Sequence, residues 1–115
     1  MPKEKRNYQR IKIRLPVRLT LSSGETITVT SANLSAGGIA VGYDAPADPG
    51  AQFQLSVPVA GAESSKSINV AAKVVHHYLS SEHSRYIIGM AFVGMGEEDR
   101  LLLDHYVKSI DRMRS

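Results

Sequence analysis

The chain has 115 residues, of which 43% are hydrophobic and 22% charged, a composition typical of one soluble globular domain. It contains no cysteine, which excludes a disulfide framework, a thiol nucleophile and a Cys-type zinc site. The first residues lack the apolar segment of a secretion signal, and no later apolar run approaches bilayer length. We therefore expect a cytoplasmic protein without membrane insertion.

The net charge of +3 is unevenly distributed along the chain. Residues 1–18 carry seven Lys or Arg and one acidic residue, a balance of +6, whereas residues 19–115 carry seven Lys or Arg and ten acidic residues, a balance of −3. The positive field is thus local and indicates an anionic partner near the N-terminal segment. A solvated basic tail followed by a basic strand face would explain the same charges.

The first predicted elements are a flexible loop over residues 1–10 and a strand that begins at Ile11. In "IKIRLPVRLTL", residues 11–21, every second residue is apolar, which predicts a strand with one buried and one solvated face. Pro16 lacks a backbone N–H, so it requires an edge or a bulge at that point. The domain proper is expected to cover residues 11–115.

Five further strands are predicted from alternating or β-branched segments, separated by turn-forming residues. They are expected at residues 26–34, 37–43, 52–59, 67–79 and 85–94. From Glu97 the apolar period becomes helical, with acidic residues at the start and basic residues at the end, which predicts a helix over about 97–113. The sequence thus predicts an all-β fold with a C-terminal helix, in which six antiparallel strands close into a small barrel.

Motifs of catalysis are missing from the sequence. It has no P-loop and no G-x-G-x-x-G between a strand and a helix. His76 and His77 are adjacent on a predicted strand, so they should point to opposite faces and cannot both ligate one metal without distortion. We therefore expect no catalytic residue, no metal site and no enzyme activity.

Two motifs remain that could bind a ligand. The first is Arg6-x-x-x-Arg10, which lies before the first predicted strand. The second is "NLSAGG", residues 33–38, in which Asn33 and Ser35 should face the same way in extended chain. The glycines that follow permit close backbone approach, although the same pattern also describes an ordinary turn.

In this order and spacing, the two motifs resemble the PilZ domain family, bacterial receptors for cyclic di-GMP. "RIKIRLPVRL" looks like the first strand of the family and "RYIIGMAF", residues 85–92, like its penultimate element. The C-terminal amphipathic helix also fits, so the resemblance extends from about residue 4 to residue 113. It implies a six-stranded antiparallel PilZ-type β-barrel whose N-terminal arginine loop closes over a ligand on the outer surface.

The resemblance also implies roles for individual residues. Arg6 and Arg10 would bind guanine edges and phosphates, Asn33 and Ser35 would contact a guanine, and Gly38 would keep the surface open for the base. Many members have another arginine where this chain has Lys5, which keeps the charge but lacks the planar guanidinium. The sequence therefore leaves open whether one ligand molecule or a stacked pair binds.

Some members use a side chain of the fifth strand against the ligand, and His76 is the nearest candidate here. Independently of the family, guanine O6 and N7 form a pair of acceptors that match a guanidinium bidentately. The cationic leader is thus interpreted as a clamp that is ordered by its anionic ligand, and its new position would signal to a downstream effector protein. No cofactor other than this ligand is expected, and a homodimer stays open.

Two other functions are compatible with a small barrel of this kind. One is a PilZ-like interaction module for pilus or flagellar machinery that has lost ligand binding. The other is a single-stranded nucleic-acid binder, which would need aromatic stacking platforms in a basic groove. With two Phe, five Tyr and no Trp, mostly at apolar positions, the chain is a poor candidate for a nucleic-acid partner.

Overall fold

The computed structural model describes residues 8–60, 65–82 and 84–114. Lys5 and Arg6 therefore lie outside the described residues. Within them the chain forms seven strand segments and one helix: β1 (Arg10–Lys12), β2 (Pro16–Thr20), β3 (Thr26–Ser35), β4 (Gly38–Tyr43), β5 (Gln52–Ala60), β6 (Ser65–Ser80), β7 (Arg85–Val93) and α1 (Glu97–Met113).

The strands form one closed antiparallel barrel. Both β1 and β2 pair with β3, so they are two segments of a single first strand. This strand pairs next with β5, and the order continues through β6, β7 and β4 back to β3. The predicted six-stranded barrel with a C-terminal helix is therefore confirmed.

The first strand is interrupted at residues 13–15, immediately before Pro16. The Ser31 hydroxyl bridges the break, because it accepts the Leu15 N–H at 2.9 Å and donates to the Ile13 carbonyl. The irregularity expected at Pro16 thus exists, and a side chain satisfies the backbone groups that the ladder leaves unpaired.

The predicted boundary between loop and strand is one residue too late. Arg10 is the first residue of β1 and pairs with Ser35 of β3, and Ile11 and Lys12 continue this ladder. The periodicity pointed to Ile11 because Arg10 is a charged residue on the outer face. Its backbone therefore belongs to the barrel wall rather than to a flexible loop.

The inward positions of the strands form the apolar core, as the alternating pattern requires. Its most deeply buried side chains include Val17, Leu34, Ile39, Val41, Val57, Val59, Ile68 and Val74. Helix α1 packs against β1, β3 and β5 and buries Leu103, Tyr106 and Val107. The helix therefore extends the core beyond the barrel wall.

The C-terminal end of α1 is tied to the first strand. The Gln9 side chain donates a hydrogen bond to the Asp111 carboxylate at 2.5 Å, and Arg114 donates to the Lys12 carbonyl.

Burial raises the pKa of the Tyr106 phenol, and the charge of Arg114 partly offsets this rise. In the described part of the chain, no helix has both the length and the apolar character needed to cross a bilayer.

Candidate functional site

A cavity of about 440 Å³ lies on the outer surface of the barrel, over strands β4 and β7. Its floor includes small residues from the two strands, with Gly38 paired with Ala91 and Ala40 paired with Gly89, and Ile87 of β7 also lines the cavity. Because side chains alternate along a strand, the larger neighbours such as Ile39 face the core instead. A planar group can therefore approach the sheet backbone closely at this point.

Arg10 and Asn33 line one side of this cavity. The Arg10 guanidinium donates a hydrogen bond through Nη1 to Asn33 Oδ1. The two side chains come together because β1 pairs with the end of β3, where Lys12 lies opposite Asn33. The contact holds a planar, permanently charged donor group beside the floor of small residues.

Ser35 has a different environment from Asn33. Its side chain is buried, and its hydroxyl accepts hydrogen bonds from the N–H groups of Gly37 at 3.1 Å and Gly38 at 3.2 Å. These contacts organise the turn between β3 and β4, as the ordinary-turn interpretation of this motif requires. A contact between Ser35 and a ligand stays a prediction.

Gly38 has a structural requirement of its own. A Cβ atom at this position would lie 2.4 Å from the Met90 carbonyl oxygen, a backbone atom of β7. Glycine is therefore needed for the close pairing of β4 with β7, whatever lies in the cavity. The neighbouring Gly37 lies under the ring of Tyr8, since a Cβ there would be 3.3 Å from Tyr8 Cδ2.

His76 and Tyr78 of β6 line the opposite side of the cavity. The His76 ring lies on Gly89, since a Cβ on that glycine would be 2.6 Å from His76 Cε1. It also stacks with Tyr78, with ring centroids 6.4 Å apart and an interplanar angle of 28°. The sequence suggested His76 but missed Tyr78, although the two-residue spacing placed both on one face of the strand.

His77 points to the other face of β6, as its position next to His76 predicts. One of its ring nitrogens lies 2.9 Å from the Ala47 carbonyl oxygen, and its ring meets Tyr86 edge-on. Residues 8–60, 65–82 and 84–114 contain no group of three or more His, Asp or Glu side chains that could hold a metal ion.

The charge of the cavity favours an anion. Its described lining includes the Arg10 guanidinium and no carboxylate. Arg10 supplies forked N–H donors, Asn33 supplies an amide, and the floor offers a flat surface for a ring. This arrangement suits a ligand that combines a phosphate with a planar heterocycle.

Comparisons with known proteins agree with this geometry. The model of the PilZ domain family matches residues 4–109. No curated protein sequence matches the chain. Among solved structures, the inhibitor of motility MotI/DgrA of Bacillus subtilis aligns with a TM-score of 0.86 at 22% identity, over 96% of this chain and 53% of that protein.

Two structures of YcgR from Escherichia coli are also similar. YcgR in complex with c-di-GMP aligns with a TM-score of 0.76 at 18% identity, over 96% of this chain and 48% of that one. The separate PilZ domain of YcgR with c-di-GMP aligns with a TM-score of 0.70 at 17% identity, over 96% of this chain and 95% of that domain.

The present chain thus spans about half the length of MotI/DgrA and of the longer YcgR structure, and nearly all of the separate domain. At these identities the structural likeness shows the fold, and the family match covers most of the sequence. Together with the barrel and the order of its motifs, this match shows that the chain belongs to the PilZ domain family.

Proposed function

We propose that this protein is a receptor for cyclic di-GMP, without catalytic activity of its own. The observation that carries the proposal is the Arg10–Asn33 pair beside a glycine- and alanine-floored cavity. Membership of the PilZ family supports it, as does the structure of the similar YcgR protein in complex with c-di-GMP. The cavity volume of about 440 Å³ falls within the range of small-molecule sites.

The proposed roles follow from the chemistry of the ligand. A guanine presents O6 and N7 to the guanidinium of Arg10, and Asn33 holds that guanidinium in place. Gly38 and its neighbours in the floor let the base lie against the sheet. Ser35 stabilises the turn that positions Gly38, and its proposed contact with a guanine would form on ligand binding.

Lys5 and Arg6 are proposed to complete the site from the N-terminal side. The positive balance of residues 1–18 would attract the two phosphates of the ligand, and Arg6 would provide a second guanidinium. When this segment closes over the ligand, its new position offers a changed surface to an effector protein. The same protein then acts as receptor and as adaptor, because ligand binding controls its contact with the effector protein.

A calorimetric titration with cyclic di-GMP tests the proposed function directly. We expect a saturable exothermic isotherm with the intact chain, and no saturable binding of GMP or of single-stranded DNA under the same conditions. GMP carries one guanine and one phosphate, so it can satisfy only half of the proposed contacts. An isotherm without saturation would leave this chain as a PilZ module that does not bind the nucleotide.

His76 is proposed to contact the ligand from the far side of the cavity. Its ring already lies over the floor and is stacked with Tyr78, so a base entering the cavity meets it edge-on or face-on. Replacing His76 by alanine should weaken cyclic di-GMP binding by about 1–3 kcal/mol, the scale of one base–ring contact. His77→Ala is the matched control, because His77 faces away from the cavity, and equal losses in both variants would contradict this role.

A further inference from the structure

A second cavity, of about 180 Å³, lies inside one end of the barrel. Its walls come from the inward faces of several strands and from the loop between β4 and β5. They are formed by Leu19, Leu21, Ile27, Val29, Val41, Tyr43, Pro46, Ala47, Asp48, Ala51, Phe53, Ile88 and Met90. Asp48 is the one charged residue in this lining, and its side chain lies in the exposed loop at the rim.

The composition of these walls gives water inside the cavity few hydrogen-bond partners. A buried water molecule needs two to four polar partners, and an apolar cavity of about 150 Å³ stays dry and binds benzene. The present cavity is somewhat larger and mostly apolar, and it opens to solvent at its rim. Apolar wall surface in contact with water is unfavourable, so an apolar ligand that covers this surface is stabilised by its removal from water.

The rim of the cavity is held in place by hydrogen bonds to β6. The Gly50 N–H donates to the Val74 carbonyl at 2.8 Å, and the Val74 N–H donates to the Ala51 carbonyl at 2.8 Å. His77 also contacts the Ala47 carbonyl, and Pro46 and Pro49 restrict the loop further. The loop is thus fixed around the opening of the cavity. Little free energy is therefore needed to order this loop when a ligand binds.

This cavity is distinct from the candidate nucleotide site. Strands β4 and β7 form a wall one sheet thick between the two: Val41 and Ile88 face the interior cavity, while Ala40 and Gly89 face the outer one. We infer that the barrel end binds a small apolar molecule of the size of one aromatic ring, at a site separate from that of the nucleotide.

Benzene is a suitable probe, followed by the methyl signals of the intact protein in two-dimensional NMR. We expect saturable shifts at methyl groups of Leu19, Val29 and Ile88. The Ala51→Leu variant fills the cavity from its rim, so it should lose these shifts while its melting temperature is kept or raised. Ala45→Leu is the matched control in the same loop, where the side chain is exposed and outside the lining, and it should keep them.

Ala47→Leu fills the same cavity from another position and gives the same test should Ala51→Leu not fold. The shifts should also persist in Arg10→Ala, since that residue belongs to the other site. The inference is overturned if benzene gives no saturable shifts, or if both filling variants keep the shifts of the wild type.

Discussion

Replacing Arg10 by alanine is expected to weaken cyclic di-GMP binding by about ten- to hundredfold, which corresponds to about 1–3 kcal/mol. Two features make this residue the most sensitive one in the described part of the proposed site. Its guanidinium is oriented by Asn33, and it is the one permanent cation in the described lining of the cavity. The loss should appear as a raised dissociation constant in calorimetry.

A lysine at the same position separates charge from geometry. Arg10→Lys keeps the positive charge but cannot form two parallel hydrogen bonds with guanine O6 and N7, so we expect it to lose most of the affinity that Arg10→Ala loses. Arg18→Ala is the matched control, because Arg18 is also an exposed arginine of the first strand but lies in β2, away from the cavity. Wild-type affinity in Arg10→Ala would refute the proposed clamp.

Thermal unfolding of the same variants without ligand provides a second check. Arg10 is exposed, and its hydrogen bond with Asn33 lies on the outer surface of the barrel. The melting temperature of Arg10→Ala should therefore stay within a few degrees of that of the wild type. A loss of binding accompanied by a large loss of stability would instead indicate a structural role for this residue.

The fold was predictable because its signals are local. Alternation over residues 11–21, the β-branched and alternating strands that follow, and the change of period at Glu97 each fix an element without knowledge of its neighbours. A sheet of short antiparallel strands leaves unpaired backbone groups at its two edge strands, and closure into a barrel is the simplest way to pair them. The two motifs were sufficient to suggest the family.

The details of the site were less predictable because they depend on contacts between strands distant in sequence. The alternation of residues in β1 does not show that Arg10 pairs with Ser35. The residues next to Gly38 in the sequence do not show that the Met90 carbonyl lies against it. Likewise, the bulge in β6 between Val74 and His76 follows from pairing with β7. Sequence periodicity assigns a side chain to a face, but the residue that it meets there is set by the register of the sheet.

Gly38→Ala is expected to destabilise the fold strongly, and far more than Arg10→Ala does. The new Cβ atom would lie 2.4 Å from the Met90 carbonyl oxygen, and that oxygen cannot move unless β7 moves away from β4. Overpacking of this kind costs about 1–3 kcal/mol, or roughly 5–15 °C in melting temperature for a chain of this size. Nucleotide binding should weaken as well, because the two strands that separate form the floor of the proposed site.

Two other glycines provide graded controls for this prediction. In Gly89→Ala the new Cβ atom meets the His76 ring at 2.6 Å, but that ring can rotate away, so the loss of stability should be smaller. In Gly96→Ser the side chain has no neighbour within 4 Å and can cap the N-terminus of α1, so stability should be unchanged or slightly raised. The expected order of melting temperatures, from highest to lowest, is therefore Gly96→Ser, then Gly89→Ala, then Gly38→Ala. If Gly38→Ala had the same melting temperature as the wild type, the contact between β4 and β7 would not require a glycine. Gly38 would then matter only for ligand binding.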